Sequence, residues 1–248
     1  MKSLQKTLCL FTMLFSFFMI SQQTQAQWSV GSDIMSRYVW RGMDFGASPS
    51  IQPYVEYSNS GFAIGAWGAY SVNGSQGQEA DLYLSYTFLN DMITIGVTDY
   101  FFPNDLMADN YFNYKNGETG HLYEAALSFN GTENLPLSLL IATNFYGDDL
   151  DSEGNSRFSS YAELGYSLET GAGVSIDLFA GANLTAQSEA DKEAELDGFY
   201  GNKAGLINIG ATAGKEIEIT EKFSLPVSAS LITNPMAGNI FFVFGISL

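Results

Sequence analysis

The segment Gly238–Leu248, GNIFFVFGISL, decides the fold. Ile240, Phe242, Phe244, Ile246 and Leu248 take every second position, and Asn239, Gly245 and Ser247 lie between them. A period of two sends alternate side chains to opposite faces of a β-strand. Chain ends are ordinarily frayed and tolerant of change, whereas this one is patterned as strictly as an interior strand.

The same period runs back through the chain. In DLYLSYTF, Leu82, Leu84, Tyr86 and Phe88 share one face, and Asp81, Tyr83, Ser85 and Thr87 the other. ITIGV opposes Ile93, Ile95 and Val97 to Thr94 and Gly96, and VSIDLFAGA opposes Val174, Ile176, Leu178, Ala180 and Ala182 to Ser175, Asp177, Phe179 and Gly181. Twelve alternating segments are expected, near 28–39, 50–58, 62–72, 79–88, 92–102, 121–129, 137–147, 158–168, 173–184, 205–217, 223–233 and 238–248. Compact turns such as NSG, LND and ETGA alternate with longer connections such as WRGMDFGASP, 103–120 and 185–204. Short turns at one end and long loops at the other, with an even strand number, are the layout of an outer-membrane barrel.

The alternation alone also fits a soluble β-sandwich or a lipocalin-like barrel. Three features favour the membrane. The segments approach the 9–11 residues a tilted strand needs to cross a bilayer. The less apolar face is rich in Gly, Ser, Thr, Asn and single acids, which suits a hydrated interior. Aromatics gather near segment ends (Trp28, Trp40, Tyr70, Phe88, Tyr100–Phe102, Phe145, Tyr146, Phe158), as interfacial girdles do. The expected fold is therefore all-β: a transmembrane antiparallel up-and-down barrel of about 12 strands in the bacterial outer membrane.

The N-terminus agrees. Lys2 and Lys6 precede an apolar run, LCLFTMLFSFFMI, and TQA ends at the small residue Ala26. That is the plan of a secretory signal peptide over 1–26, leaving 27–248 for the barrel. Cys9, the only cysteine, lies inside the run, and His121 is the only histidine. Thiol chemistry and a multi-histidine metal site are thus not expected in the mature chain. The whole chain carries 27 acidic and 10 basic residues, and loss of Lys2 and Lys6 leaves 27 against 8, a formal charge of −19. Such a balance argues against nucleic acid as a partner.

Two resemblances follow from particular residues. The alternating strand ending on Phe242, Phe244, Ile246 and Leu248 resembles the C-terminal insertion signal of outer-membrane proteins, which implies the barrel-assembly machinery as a partner. The stretch from Ser32 to Tyr70, with SRYVWRG at Ser36–Gly42, PSIQPYVEY and GFAIGAWGAY, resembles the N-terminal region of the TorF-like porin family. It covers roughly the first three strands and implies a porin-like role without naming a solute.

Candidate site residues come from parity. Asp33, Arg37, Glu56, Asp81, Glu124, Glu163 and Asp177 fall on the inward face, so a wet lumen would prefer cations. The expectation is passive passage of small hydrophilic solutes. The alternative is a closed barrel acting through its outer loops as a structural, adhesin or accessory subunit. Tyr38 and Trp40 are expected at the outer rim. Arg41 is expected to open the first loop, either binding a lumen carboxylate or lipopolysaccharide phosphate, or fastening the loop by a salt bridge. No cofactor is expected. Asp149, Asp151 and Glu153 in DDLDSEG have the first half of a calcium-loop spacing without its later glutamate, so Ca²⁺ in the outer loops is a secondary expectation. A Ser/His hydrolase is not expected: His121 has Asp99 and Thr143 at its parity but no serine at a comparable height.

Overall fold

Each alternating segment presents a row of backbone N–H and C=O groups on both edges, and those groups must be paired. In the computed structural model, which describes residues 27–73, 78–103 and 111–248, they are paired by closure. The strands are β1 (Gln27–Met35), β2 (Tyr38–Trp40), β3 (Met43–Phe45), β4 (Ser50–Asn59), β5 (Phe62–Ser71), β6 (Gln78–Phe88), β7 (Ile93–Phe101), β8 (His121–Phe129), β9 (Leu137–Gly147), β10 (Ser160–Glu169), β11 (Val174–Asn183), β12 (Gly205–Thr220), β13 (Phe223–Asn234) and β14 (Asn239–Ser247). One short helix, α1 (Glu189–Glu193), lies in the connection between β11 and β12. β1 and β4 to β14 form a closed barrel of antiparallel neighbours, and β2 and β3 form a separate two-stranded sheet. The expected signal peptide lies outside the described residues.

All twelve expected segments are barrel strands. Their outward positions are apolar and exposed: Val30 is 75% exposed, Leu82 50%, Phe242 60% and Phe244 51%. Register keeps these rows aligned across strands, as in Ile64↔Leu84 and Leu84↔Val97. Inward, large rings lie across small residues of the next strand. Tyr161 pairs with Asn183 and crosses Gly181, where an added Cβ would lie 1.9 Å from the Tyr161 hydroxyl oxygen.

Two boundaries differ from the sequence expectation. β12 continues to Thr220, so its turn with β13 shrinks to Glu221 and Lys222. β1 stops at Met35 rather than running to residue 39. It closes on β14 through Asp33↔Ser247, Ile34↔Ile246 and Met35↔Gly245. Ser32 and Leu248 exchange backbone hydrogen bonds of 3.1 and 3.0 Å below them. At Ser36 the backbone N–H still donates to Phe244 O, but the Phe244 N–H donates to the Ser36 side-chain Oγ, at 2.8 Å. That hydroxyl stands in for the carbonyl of a strand that is leaving the wall.

The departing chain makes the β2–β3 hairpin. Trp40 pairs with Met43, so the loop is Arg41–Gly42, and both residues have positive φ (50° and 75°). This is the mirror-image two-residue turn that suits strand twist. A side chain at residue 42 would also place a Cβ 2.0 Å from Ile207 O on β12.

Replacing Gly181 with Ala should lower stability by about 1–3 kcal/mol, since the added methyl overlaps the Tyr161 ring. Gly171→Ala, in an open turn, should change it by less than about 0.5 kcal/mol. Denaturant midpoints of the two variants check this.

Candidate functional site

The hairpin turns into the barrel instead of standing on its rim. Tyr38, expected at the outer edge, is 8% exposed and packs on Trp67 of β5, with ring centroids 5.5 Å apart. Trp40, also expected at the rim, lies 5.6 Å from Tyr100 of β7, 5.9 Å from Tyr200 and 6.5 Å from Phe199. Phe45 stacks on Phe102 at 6.2 Å. Trp40 and Tyr100–Phe102 are therefore not all girdle residues, while Trp28, Tyr70, Phe145, Tyr146 and Phe158 do stand exposed on the described surface. The inward rings join the buried cluster of Tyr161, Tyr200 and Ile207. The Gly42 carbonyl accepts from Asn234 Nδ2 on β13 at 3.3 Å.

Arg41, at the hairpin tip, is the polar centre. Its guanidinium forks onto Glu124 of β8, with Nη2 to Oε1 at 2.9 Å and Nη1 to Oε2, and it also donates to the Tyr200 hydroxyl. The Tyr100 hydroxyl donates to Glu124 Oε1 at 3.1 Å. The guanidinium carbon sits 4.4 Å from the Trp40 ring centre and 4.5 Å from that of Tyr161. The side chains of Arg41 and Glu124 are 8% and 4% exposed. A forked, hydrogen-bonded pair stacked on aromatic faces is the arrangement in which a buried arginine is best satisfied.

The other inward candidates are spread along the wall. Arg37 lies beyond β1 and pairs with Asp44 of β3 at 2.8 Å, above the Phe241 ring. Glu56 accepts from the Tyr83 hydroxyl at 2.9 Å. Glu163 accepts from Asn208 Nδ2 at 2.8 Å and from the Tyr161 hydroxyl. Asp177 accepts from Ser167 Oγ at 2.5 Å. Asp33 pairs in register with Ser247 at the seam. Asp81 is buried beside Glu79, a residue of the same parity that its alternation alone does not single out. Among the described residues, arginine and lysine pair only with Asp44, Glu124, Glu118, Asp191 and Glu189. Glu124 is thus the one inward wall acid of that set with a basic partner.

The outer loops hold a second buried pair, between the 148–159 and 184–204 connections. Arg157 Nε and Nη2 donate to Asp191 at 2.7 and 3.0 Å, and the Ser152 N–H donates to the same carboxylate at 3.0 Å. Ser188 caps α1 by accepting from the Asp191 N–H at 3.0 Å. The acidic run around Asp191 reads in sequence as a solvated loop, and its burial depends on a basic residue 34 positions away. The Arg157 hydrogen bonds hold the Asp191 carboxyl below the ordinary carboxylate range.

Of the calcium-loop residues, Asp149 accepts from the Ser159 N–H and Oγ, both at 2.7 Å. Asp151 accepts from the N–H groups of Glu153 and Asn155 at 3.0 and 2.9 Å, closing its own turn. Glu153 is exposed. Among the described residues, no group of three or more His, Cys, Asp and Glu side chains is placed to hold a metal ion. His121 is fully buried: Nδ1 meets Asp99 Oδ1 at 2.7 Å and Nε2 meets the Tyr111 carbonyl at 2.6 Å. The nitrogen that would activate a nucleophile is engaged by a backbone acceptor.

Arg41→Ala should destabilise the protein by about 3–5 kcal/mol, because it strands the buried Glu124 carboxylate. Arg41→Ala with Glu124→Gln should recover part of that loss in the same unfolding assay. The Asp191 contribution has a definite sign. A lowered native pKa stabilises above the unfolded value and is lost as pH falls through the native one. Protease resistance of the 148–159 and 184–204 connections should therefore hold at neutral pH and fall away below about pH 4. Arg157→Ala should remove that pH dependence.

No curated protein matches the chain. A solved structure of the NanC porin, in a rhombohedral crystal form, is similar over 88% of this chain and 98% of its own, with 10% identity and a TM-score of 0.48. The family model described as "Bacterial protein of unknown function (Gcw_chp)" matches residues 22–172, more than half of the sequence. The chain belongs to the Gcw_chp family of bacterial proteins.

Proposed function

We propose that this chain is a porin-type barrel of the bacterial outer membrane, passing small hydrophilic solutes with a preference for cations, and that the β2–β3 hairpin is its constriction. The observation that carries the reading is the division of the lumen. The outer part is occupied by the hairpin and its rings, held by Arg41 on Glu124. Toward the short turns, the inward positions are mostly small or acidic: Gly96, Ser128, Gly165, Ser167, Asp177, Gly214 and Ser228. Acids without basic partners attract cations and repel small anions. The exposed apolar wall supports a membrane location, since water would leave that surface unsatisfied over its whole girth. The SRYVWRG stretch, one part of the likeness to TorF-like porins, supplies the first strand and the turn of the hairpin. Lipid and lipopolysaccharide outside, and the barrel-assembly machinery reading Phe242 to Leu248, are the partners this function requires.

The aromatic packing around the hairpin favours a second reading. Rings in contact from Trp67 through Tyr38, Phe45 and Trp40 to Tyr200 and Tyr161 would make a plug, and the barrel would act through its outer loops.

Planar-bilayer recording separates the two. The porin reading expects small cation-selective steps in the wild type and larger steps in Arg41→Ala. Silence in both proteins, or anion selectivity, would reject it. For the membrane location, Phe244→Lys should cost about 2–3 kcal/mol of folding stability in lipid vesicles. A change near zero would show that this face does not meet hydrocarbon.

A further inference from the structure

Glu79 and Asp81 stand two residues apart on β6 and therefore share its inner face, opposite the Tyr38 side of the hairpin. They are 3% and 6% exposed. The Tyr38 phenol and the two carboxyl groups are close enough to interact with one another. Glu79 Oε2 and Asp81 Oδ1 are nevertheless buried with no hydrogen-bond partner among the described residues. Their cross-strand neighbours are Ala69, Trp67 and Tyr100, none of which carries a positive charge. The two arginines of the hairpin are engaged elsewhere, Arg41 by Glu124 and Arg37 by Asp44.

An isolated buried negative charge is too costly to keep, so a buried carboxyl group takes up a proton, a basic partner or a metal ion, and the last two keep it ionised. Here the described residues supply no counter-charge, and two carboxylate oxygens stay open beside a phenol oxygen. Oxygen donors of this kind suit hard cations. We propose that Glu79 and Asp81, with the Tyr38 hydroxyl oxygen, form a binding site for a hard divalent cation of the Ca²⁺ type between the barrel wall and the inward hairpin. Two positive charges match the two carboxylates. Because Tyr38 belongs to the hairpin and the acids to the wall, the ion fastens the β6 side of the hairpin as Arg41 fastens its β8 side. The site needs only the fold and not solute passage, so a failed conductance experiment leaves it standing.

Terbium luminescence on the mature protein in detergent micelles tests the site, with Trp67 and Tyr38 as the nearby sensitising rings. Wild type should give saturable emission that Ca²⁺ displaces, and Ca²⁺ should raise its thermal midpoint. In Glu79→Gln/Asp81→Asn, the affinity of the displaceable component should fall by at least about tenfold. Asp149→Asn/Asp151→Asn should leave that component unchanged, which sets aside ions held by the outer loops. Equal Ca²⁺ displacement in the Glu79/Asp81 variant would overturn the proposal. So would a wild type that shows neither displaceable emission nor a Ca²⁺-dependent midpoint, and this result does not depend on any variant folding.

Discussion

The structure depends on closing one sheet on itself. Every strand edge in the wall must find a partner, and in an apolar surround an open edge has no water to fall back on. The first and last strands meet through three register pairs, flanked by the Ser32–Leu248 and Ser36–Phe244 hydrogen bonds. That short seam lets β1 end at Met35 and releases the following hairpin segment from the wall. A longer β1 would close the barrel more fully and leave no hairpin to turn inward. The side-chain hydroxyl of Ser36 is the point where the two requirements are reconciled.

What keeps the hairpin inside is a mixture of apolar packing and one charge pair. The rings of Tyr38, Trp40 and Phe45 bury against wall residues, as a small domain core does. Arg41 adds direction: its fork and the faces of Trp40 and Tyr161 define where the tip must sit. A purely apolar hairpin could slide in a tube lined by rings, whereas a forked ion pair demands one geometry. The same logic recurs in the outer loops, where Arg157 and Asp191 tie two connections together.

Charge is distributed unevenly. With 27 acids and 10 bases in the chain, most inward carboxylates have no basic partner. Tyrosine, serine and asparagine hydroxyls and amides satisfy several of them as hydrogen-bond donors, at Glu56, Glu163 and Asp177. Such donors satisfy carboxylate oxygens without supplying a positive charge.

Strand number and the division of each strand into two faces were legible in the sequence, because a two-residue period is a local property that each strand carries in itself. The GNIFFVFGISL ending and the run from Leu82 to Phe88 define the two faces, and segment length, the small polar residues of one face and the aromatics at segment ends turned the apolar face outward. The burial of Tyr38 and Trp40 was not legible, since SRYVWRG continues the alternation of β1 and nothing local marks the departure at Ser36. Arg41 offered a carboxylate or loop-fastening role, but its partner, Glu124, is 83 residues away and reached only across the lumen. Glu79 shares the parity of Asp81, yet parity cannot tell a solvated acid from one sealed under a hairpin. Local side-chain alternation set the barrel wall. What fills the barrel was decided by contacts between distant strands, which form only once the sheet has closed.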